Sequence, residues 1–537
     1  MKRKTIILVG LMMSLSLLAQ KQLPIVRIST STPLNATQKV SAQMEAGDYH
    51  GAIGIKLRGN SSLSFNQKKY TLELRHADGS ERDFPLMGMP AHSQWVLLAP
   101  YNDVSMMRDP LAFQLWRDMG HWGPRTKMVE LYMDNEYRGI YILCEAIKRG
   151  EQRVNISNVK KRDTAGRELT GGYILRIDTY NEKDATFKSK VPGIGEGIMT
   201  SEITWSCIYP SKKKLQPEQM AYIQQFIDSV ELTIQSEHFT DSKWGYSRFI
   251  DVPSFVDYFI HTELSLNADG YKRSAYFYKE KDKEDGTIGK LFAGPVWDYN
   301  LAYGNCNFCN ANNIEAWCFE GGNTQSTPAL WQRLLQDPSF RKAVKQRYFQ
   351  LRKGILSQQA INRFIDQQAA LLQASAERHF KKYPELLVSE EQKTSTKDTL
   401  QSTPSTLHSS PFTAFAFPFS FPDSIPDGFG GFPPFNPDSI PDGFGDFPPF
   451  NPDSIPDGFG AFPAMGGFGD AIGWFAAYRV SSYEEEISTL KQWLTDRLSF
   501  LDRNISRFDK DFQPRIQEPK EKKMPPFNGF PFFPPKP

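Results

Sequence analysis

Proline is the feature that most limits what this chain can build. Of its 37 prolines, 13 fall between Pro411 and Pro463 and 8 between Pro514 and Pro537. The proline ring fixes φ and removes the amide donor, so neither a helix interior nor a central strand survives that density. In the first stretch Pro422-Asp-Ser-Ile-Pro-Asp-Gly-Phe-Gly returns from Pro437 and again from Pro452, a period of 15 residues. That period is shorter than those of the common solenoids. We read 385–475 as a disordered Pro/Gly/Phe-rich insert with recurring turns, opened by the Ser/Thr-rich run Lys393–Ser410, and 513–537 as a disordered Pro-rich tail. The repeat aspartates (423, 427, 438, 442, 453 and 457) lack the close spacing of an EF-hand loop, which favours a spacer over a calcium site. Setting these stretches aside leaves on the order of 400 residues, about two large units.

Composition then excludes several classes. The charge of +2 gives no general case for nucleic acid or an anionic membrane, and 40% apolar with 23% charged residues excludes wholesale disorder. Lys2, Arg3 and Lys4 precede an apolar run, Ile6–Ala19, shorter than the roughly 20 residues of a membrane span. We expect 1–19 to be a signal peptide, with no lipid anchor and no transmembrane segment after its cleavage, and the mature protein to be exported. Five cysteines are too few and too odd in number for a disulfide scaffold. Cys306-x-x-Cys309 with Cys318 has the look of part of a zinc site that lacks a fourth ligand; in an exported chain it predicts one local disulfide, while Cys144 reads as core.

Up to about residue 150 the apolar residues alternate. Ile53, Ile55 and Leu57 and then Tyr70, Leu72 and Leu74 flank the turn Gly59-Asn60-Ser61-Ser62, which predicts a hairpin. Val129–Met133 and Gly139–Cys144 flank Asp134-Asn135-Glu136 in the same way, Met106–Met119 has helical spacing, and Gly172–Ile177 reads as a strand completing this half. From Pro217 onward helical spacing prevails, interrupted by a strand pair at Ser274–Tyr278 and Lys290–Ala293. A last helix opens with the capping box Ser482-x-x-Glu485. The fold class is α+β, sheet early and helices late.

Gly193-x-Gly195-x-Gly197 has no βαβ context, the eight histidines have no metal-ligand spacing, and no G-x-S-x-G elbow occurs. What remains is a polar set in apolar surroundings: Lys68, Lys69, Glu145, Glu263, Asn267, Asp269 and Asp298. Ion pairing within the fold accounts for any one of them. Together the types match phosphoryl transfer, in which Lys holds phosphate, Glu orients that Lys, one carboxylate faces the acceptor and Asp with an amide holds Mg²⁺.

The order Arg58-Gly-Asn-Ser-Ser…Lys68-Lys69-Tyr70, Gly88-Met…Trp95-Val-Leu-Leu…Asp103…Arg108, Glu136-Tyr-Arg-Gly-Ile-Tyr…Glu145, Gly172-Tyr-Ile-Leu, Asn267-Ala-Asp269 and Gly294-Pro-Val-Trp-Asp298-Tyr-Asn300 resembles the spore-coat CotH kinase family. The resemblance runs from about 25 to 384 and resumes at Trp493 and Arg497. It implies a divergent protein-kinase-like fold over 22–384, completed by 476–512, and transfer of phosphate from ATP to Ser/Thr of proteins. It further implies that Asp269 is the catalytic carboxylate and that Glu145 pairs with the phosphate-contacting Lys69 or Lys68. Arg58, Ser61 and Ser62 would line the nucleotide, and Asp298, Asn267 and Asn300 would hold Mg²⁺ or Mn²⁺. Arg176 and Asn300 depart from the family's usual Glu and Asp, and the amide supplies oxygen without charge. The expected protein is a secreted atypical kinase acting on extracytoplasmic proteins, with the repeat serines Ser424, Ser439 and Ser454 as conceivable acceptors. Its rivals are an inactive surface or envelope interaction protein on the same fold, and phosphate transfer to glycan or lipid.

Overall fold

Two-residue alternation in the first 150 residues closes into a barrel. The computed structural model describes residues 22–194, 202–307, 309, 311–321, 326–389 and 479–510. The expected signal peptide, nearly all of the insert and the Pro-rich tail lie outside these residues. The strands are β1 (Ile25–Ser29), β2 (Val40–Ala46), β3 (Tyr49–Arg58), β4 (Lys69–Leu74), a side hairpin β5 (Phe84–Leu86) and β6 (Met89–His92), then β7 (Gln94–Leu98), β8 (Thr126–Met133) and β9 (Glu136–Glu145). Around the barrel they run β1–β2–β3–β4–β7–β9–β8, and parallel pairing of β1 with β8 closes the ring. Both anticipated hairpins form, β3 with β4 and β8 with β9; Asp134 and Asn135 take positive φ in the second turn, as a tight hairpin turn requires.

Parity decides what each strand offers. Ile53, Ile55, Tyr70, Leu72, Leu74, Trp95, Leu97, Tyr141 and Leu143 fill the barrel. The opposite parity on β7 and β9 (Val96, Leu98, Ile140, Ile142, Cys144) joins the larger core shared with the helix Arg108–Asp118 and the second half. A buried Leu or Ile contributes about 1.5–3 kcal/mol, so a one-residue slip, which would exchange the faces, is strongly opposed. By the same parity Lys69 leaves the barrel toward that junction, whereas Glu145 shares the inward side with Tyr141 and Leu143.

A second, antiparallel sheet runs Ala185–Lys188, Thr204–Tyr209, Tyr173–Ile177, Ala275–Lys279, Leu291–Ala293. Tyr173–Ile177, expected to complete the first half's sheet, is instead the middle strand here, because its neighbours come from later in the chain. The helices of this half are Pro217–Gln235, Val252–Ser265, Pro338–Arg352, Gln358–Lys382 and Tyr483–Ile505; Val252–Ser265 lies against the strand Leu291–Ala293, while Gln358–Lys382 packs on β9 of the barrel and on the last helix. The last begins where Ser482 Oγ accepts from Glu485 N at 3.1 Å, but Glu485 Oε2 accepts from Ser481 N at 2.8 Å, one residue earlier than a full capping box. Val388 N donates to Val480 O at 3.0 Å, so the chain leaves for the insert and returns from it at one point. No helix among the described residues is long and apolar enough to cross a membrane.

Candidate active site

Arg58 ends β3 and faces Lys69, which opens β4. In the loop between them Gly59 has φ +122, and a side chain there would collide with Ser62 Oγ, so glycine is required. The turn Ser61–Leu63 follows, with Ser62 buried. Lys68 Nζ donates to Leu63 O at 2.7 Å and closes this loop on itself. Lys69 instead reaches Asp298, Nζ to Oδ1 3.8 Å, its side chain 10% exposed against 37% for the aspartate. Of the two candidate lysines, only Lys69 pairs with another expected site residue among the described residues.

Asp298 is held by its neighbours. Gly294, at φ +98, lets the backbone lie against Trp116, where a Cβ would clash. Trp297 stacks on Phe113 (centroids 5.7 Å) and carries the Arg58 guanidinium 4.9 Å above its ring. Asp298 itself takes φ +65, an uncommon conformation for a residue other than glycine. Below it, the helix Val252–Ser265 ends in a left-handed Leu266 and turns through Asn267-Ala268-Asp269. Asn267 Nδ2 donates to Asp298 O and its Oδ1 accepts from Asp269 N, both at 3.3 Å, so this amide ties the two aspartate segments together. Burial pushes the Asp269 carboxyl up to about 6, Arg273 opposing and the Asp298 charge adding to the rise. Asn300 is buried; its carbonyl accepts from Asn305 Nδ2 at 2.7 Å.

The reading of residues missed one member. Asp109, in the first turn of the helix Arg108–Asp118, is buried and accepts from Tyr299 N at 2.6 Å. Burial, then the Asp298 charge, pushes its carboxyl up to about 7, with Lys69 opposing. Its only sequence signal is an acidic residue in the first turn of a helix that buries Leu111, Phe113, Leu115 and Trp116.

Two expectations are corrected. Glu145 does not pair with Lys69: its Oε1 lies 2.8 Å from Arg125 Nη1 and 3.9 Å from Arg153 Nε, and its Oε2 accepts from Arg125 N at 2.9 Å. Strand parity is the reason, since the two side chains leave opposite faces of the barrel wall. Nor does Cys318 join a local disulfide; it is a thiol with Sγ 3.6 Å from Asn267 O and 3.9 Å from Thr262 O, packed behind the site. Cys144 is core, as expected.

Glu263, grouped with these residues by sequence, belongs to a separate buried cluster. It accepts from Cys318 N (2.9 Å), Phe319 N (3.0 Å) and Tyr271 Oη (3.0 Å) and lies 3.6 Å from Arg497 of the last helix.

Known proteins match the same segments. The sequence profile described as CotH kinase protein aligns with residues 55–407, from within β3 onward. Inner spore coat protein H of Bacillus subtilis (strain 168) is 22% identical over 306 residues, 57% of this chain and 72% of that protein. With a profile match over more than half its length, on the segments that bring Lys69, Asp269 and Asp298 together, the chain belongs to the CotH kinase family.

Proposed function

We propose that the protein is an exported atypical kinase that transfers the γ-phosphate of ATP to Ser/Thr of extracytoplasmic proteins, on a divergent kinase-like arrangement of the barrel over the helical half. The observation that carries this is the 3.8 Å approach of Lys69 to Asp298, a cation from the barrel and a carboxylate from the second half. Lys69 and Arg58 offer positive charge to the phosphates. Asp269, pushed up to about 6, is placed by the Asn267 turn as acceptor-side base, close enough to neutrality to take a proton and release it. The serine Oγ–P bond forms as the bond from phosphorus to the β-phosphate oxygen breaks; ADP leaves and the hydroxyl proton passes to Asp269.

The donor set fits a hard divalent cation. Beyond burial, the Asp298 charge raises the cost of ionising Asp109, and the buried Asn300, whose backbone carbonyl is engaged by Asn305, has no side-chain hydrogen bond among the described residues. Asp298, Asp109 and the amide oxygens of Asn267 and Asn300 are the groups that would hold Mg²⁺ or Mn²⁺, which when bound supplies charge neutralisation for the triphosphate. Among the described residues no three His, Cys, Asp or Glu side chains form a metal cage.

The test is phosphate transfer from Mg-ATP to a generic protein acceptor, with Asp269→Ala/Asp298→Ala as background and Mn²⁺ as second metal. No labelling above background with either metal would sink the reading. One observation favours an inactive interaction protein: Glu145, engaged by Arg125, leaves Lys69 without an orienting glutamate. In that case Mg-ATP would raise the melting temperature without turnover.

A further inference from the structure

Two cations follow Asp269 on one turn, and neither is used up within the fold. The chain from Asn267 to Ser274 turns tightly: Gly270 N donates to Asn267 O at 2.7 Å, and Lys272 N and Arg273 N both donate to Asp269 O, at 3.2 and 3.0 Å. Tyr271 and Ser274, on either side of the two cations, take φ of +67 and +47, conformations costly to a side chain that persist only where the surroundings enforce them. At Tyr271 the enforcement comes from its hydroxyl, which donates to Glu263 Oε1 at 3.0 Å, and from its ring, 4.5 Å from that of Trp331. The cluster behind the turn thus fixes the backbone from which Lys272 and Arg273 extend.

An arginine carries five N–H donors in a flat fork. The charged contact of Arg273 is Asp269, Nη1 to Oδ1 at 4.0 Å, too long for a hydrogen bond. Among the described residues the guanidinium makes no hydrogen bond, and its Nε is shut off from water without a partner. Asp178 does not serve it either, being engaged by Arg176, Nε to Oδ2 at 3.2 Å. Lys272 is 5% exposed, and its ammonium has neither an ion pair nor a hydrogen bond among the described residues. Burial raises the Asp269 carboxyl most, while Arg273 and, more weakly, Lys272 draw it down, so both charges bear on this one carboxylate. A buried charge without a close partner is costly, and so is a donor hidden from water; an arriving anion relieves both.

Geometry selects the anion. Asn267 bridges the Asp269 and Asp298 segments, at 3.3 Å on each side. On the kinase reading, a hydroxyl about 3 Å from Asp269 attacks a phosphorus roughly 3–3.5 Å further on. Lys69 stands at the Asp298 end of that line. Arg273 stands at the other, 4.0 Å from the Asp269 carboxylate, close enough to meet the oxygens on that phosphorus. A planar fork holds two phosphate oxygens at once, a capacity that its distant contact with Asp269 leaves unused.

We propose that Arg273 is a further catalytic residue, its guanidinium holding the oxygens of the phosphoryl group in transfer, with the Lys272 ammonium as the second cation of the same clamp. The inference rests on the kinase reading and deepens it. The bonds made and broken are those balanced above; the two cations donate hydrogen bonds and exchange no proton.

Calorimetry on the full-length protein with Mg²⁺ reads the contact without turnover. Arg273→Met should weaken ATP binding roughly ten-fold or more and leave ADP, which lacks that phosphoryl group, within about two-fold. Its melting temperature should match the parent's, since no hydrogen bond is lost. Lys272→Met should show the same selective loss, with a melting temperature equal to or above the parent's because an unpaired buried charge is gone. In the transfer assay Arg273→Met should lower kcat by on the order of 10³, and Arg273→Lys should restore only part of it, the ammonium lacking the fork. Equal weakening of ATP and ADP would make the pair a structural support of Asp269 and overturn the proposal. So would intact ATP binding with a raised KM for the protein acceptor, which would assign the cations to the acceptor instead. If the parent transfers phosphate and Arg273→Met does so equally well, the kinase reading stands and the clamp falls. If the parent transfers to no acceptor, yet Arg273→Met loses affinity for ATP and not for ADP, the clamp stands and the transfer reading falls. A parent that binds neither nucleotide ends both.

Discussion

Two clusters of charge flank the Asn267–Asp269 turn, one closed around Glu263 and one part-exposed around Asp298, and they are built on opposite plans. Around Glu263 the acceptors are filled: two backbone N–H groups and the Tyr271 hydroxyl donate to the carboxylate. Arg497 donates to the carbonyls of Glu263, Ile314 and Ala316. Around Asp298 the balance is looser: one lysine at 3.8 Å serves a carboxylate whose charge also raises Asp109 and Asp269, which have a single backbone donor in Tyr299 N and a distant Arg273 at 4.0 Å respectively. A saturated, neutral pair is what holds a fold together; an imbalanced, part-exposed set is what a ligand completes. The contrast separates Glu263 from the other acidic residues that sequence grouped with it.

The sharpest way to break this contrast is to truncate the closed cluster. Arg497→Ala leaves a buried glutamate and three carbonyls without their partner, and should cost about 3–5 kcal/mol in denaturant unfolding. Loss of activity in that variant should follow loss of folded protein. If Arg497→Ala were as stable as the parent, the cluster would not be structural. The open cluster should respond in the other sense. Asp298→Asn should reduce kcat by on the order of 10²–10³, with stability unchanged or higher because a repelling charge is gone. A large stability loss in Asp298→Asn would put it with Glu263.

The pH dependence of stability sharpens the difference next. Burial pushes Glu263 up to about 7 despite Arg497, so between its unfolded value near 4.5 and about 7 the native state holds a proton that the unfolded chain has released. Its contribution is therefore complete below pH 4.5 and is lost as pH rises toward 7, at most about 1.4 kcal/mol per pH unit. Glu263→Gln should flatten that decline in urea midpoints between pH 5 and 7. An unchanged slope would mean that other carboxylates, such as Glu231, also pushed up to about 7 by burial, dominate it.

What the sequence made legible follows from range. Local patterns were readable: alternation placed β3, β4, β8 and β9, three- and four-residue spacing placed the helices, and Ser482 marked the last helix start. Lys69 and Asp298 stood out because the first is a polar residue opening an apolar strand and the second a carboxylate following one, and the structure brings the two within 3.8 Å. Non-local partners were not. Glu263 and Arg497 are 234 residues apart, with the proline-rich stretch between them. The pairing of Lys69 with Glu145 failed because residue type carries no information on which face of a closed barrel a side chain leaves; register and closure do. Asp109 was missed because an acidic first turn is equally explained by the helix dipole.

The smallest expected effect tests the finest distinction, between adjacent lysines. Lys68 Nζ donates to a loop carbonyl, Leu63 O at 2.7 Å, whereas Lys69 Nζ faces a carboxylate that has no other ion-pair partner among the described residues. Removing the first loses one half-exposed hydrogen bond, about 1 kcal/mol, so Lys68→Ala should change stability by that much and kcat/KM only a few-fold through a looser Gly59–Leu63 loop. Lys69→Ala should instead raise KM for ATP and lower kcat together, since its charge faces both phosphate and Asp298. Equal losses in the two variants would show that loop closure, and not the charge at Lys69, is what the site needs; the resemblance alone left the two positions interchangeable, and the alternation of β4 is what separates them.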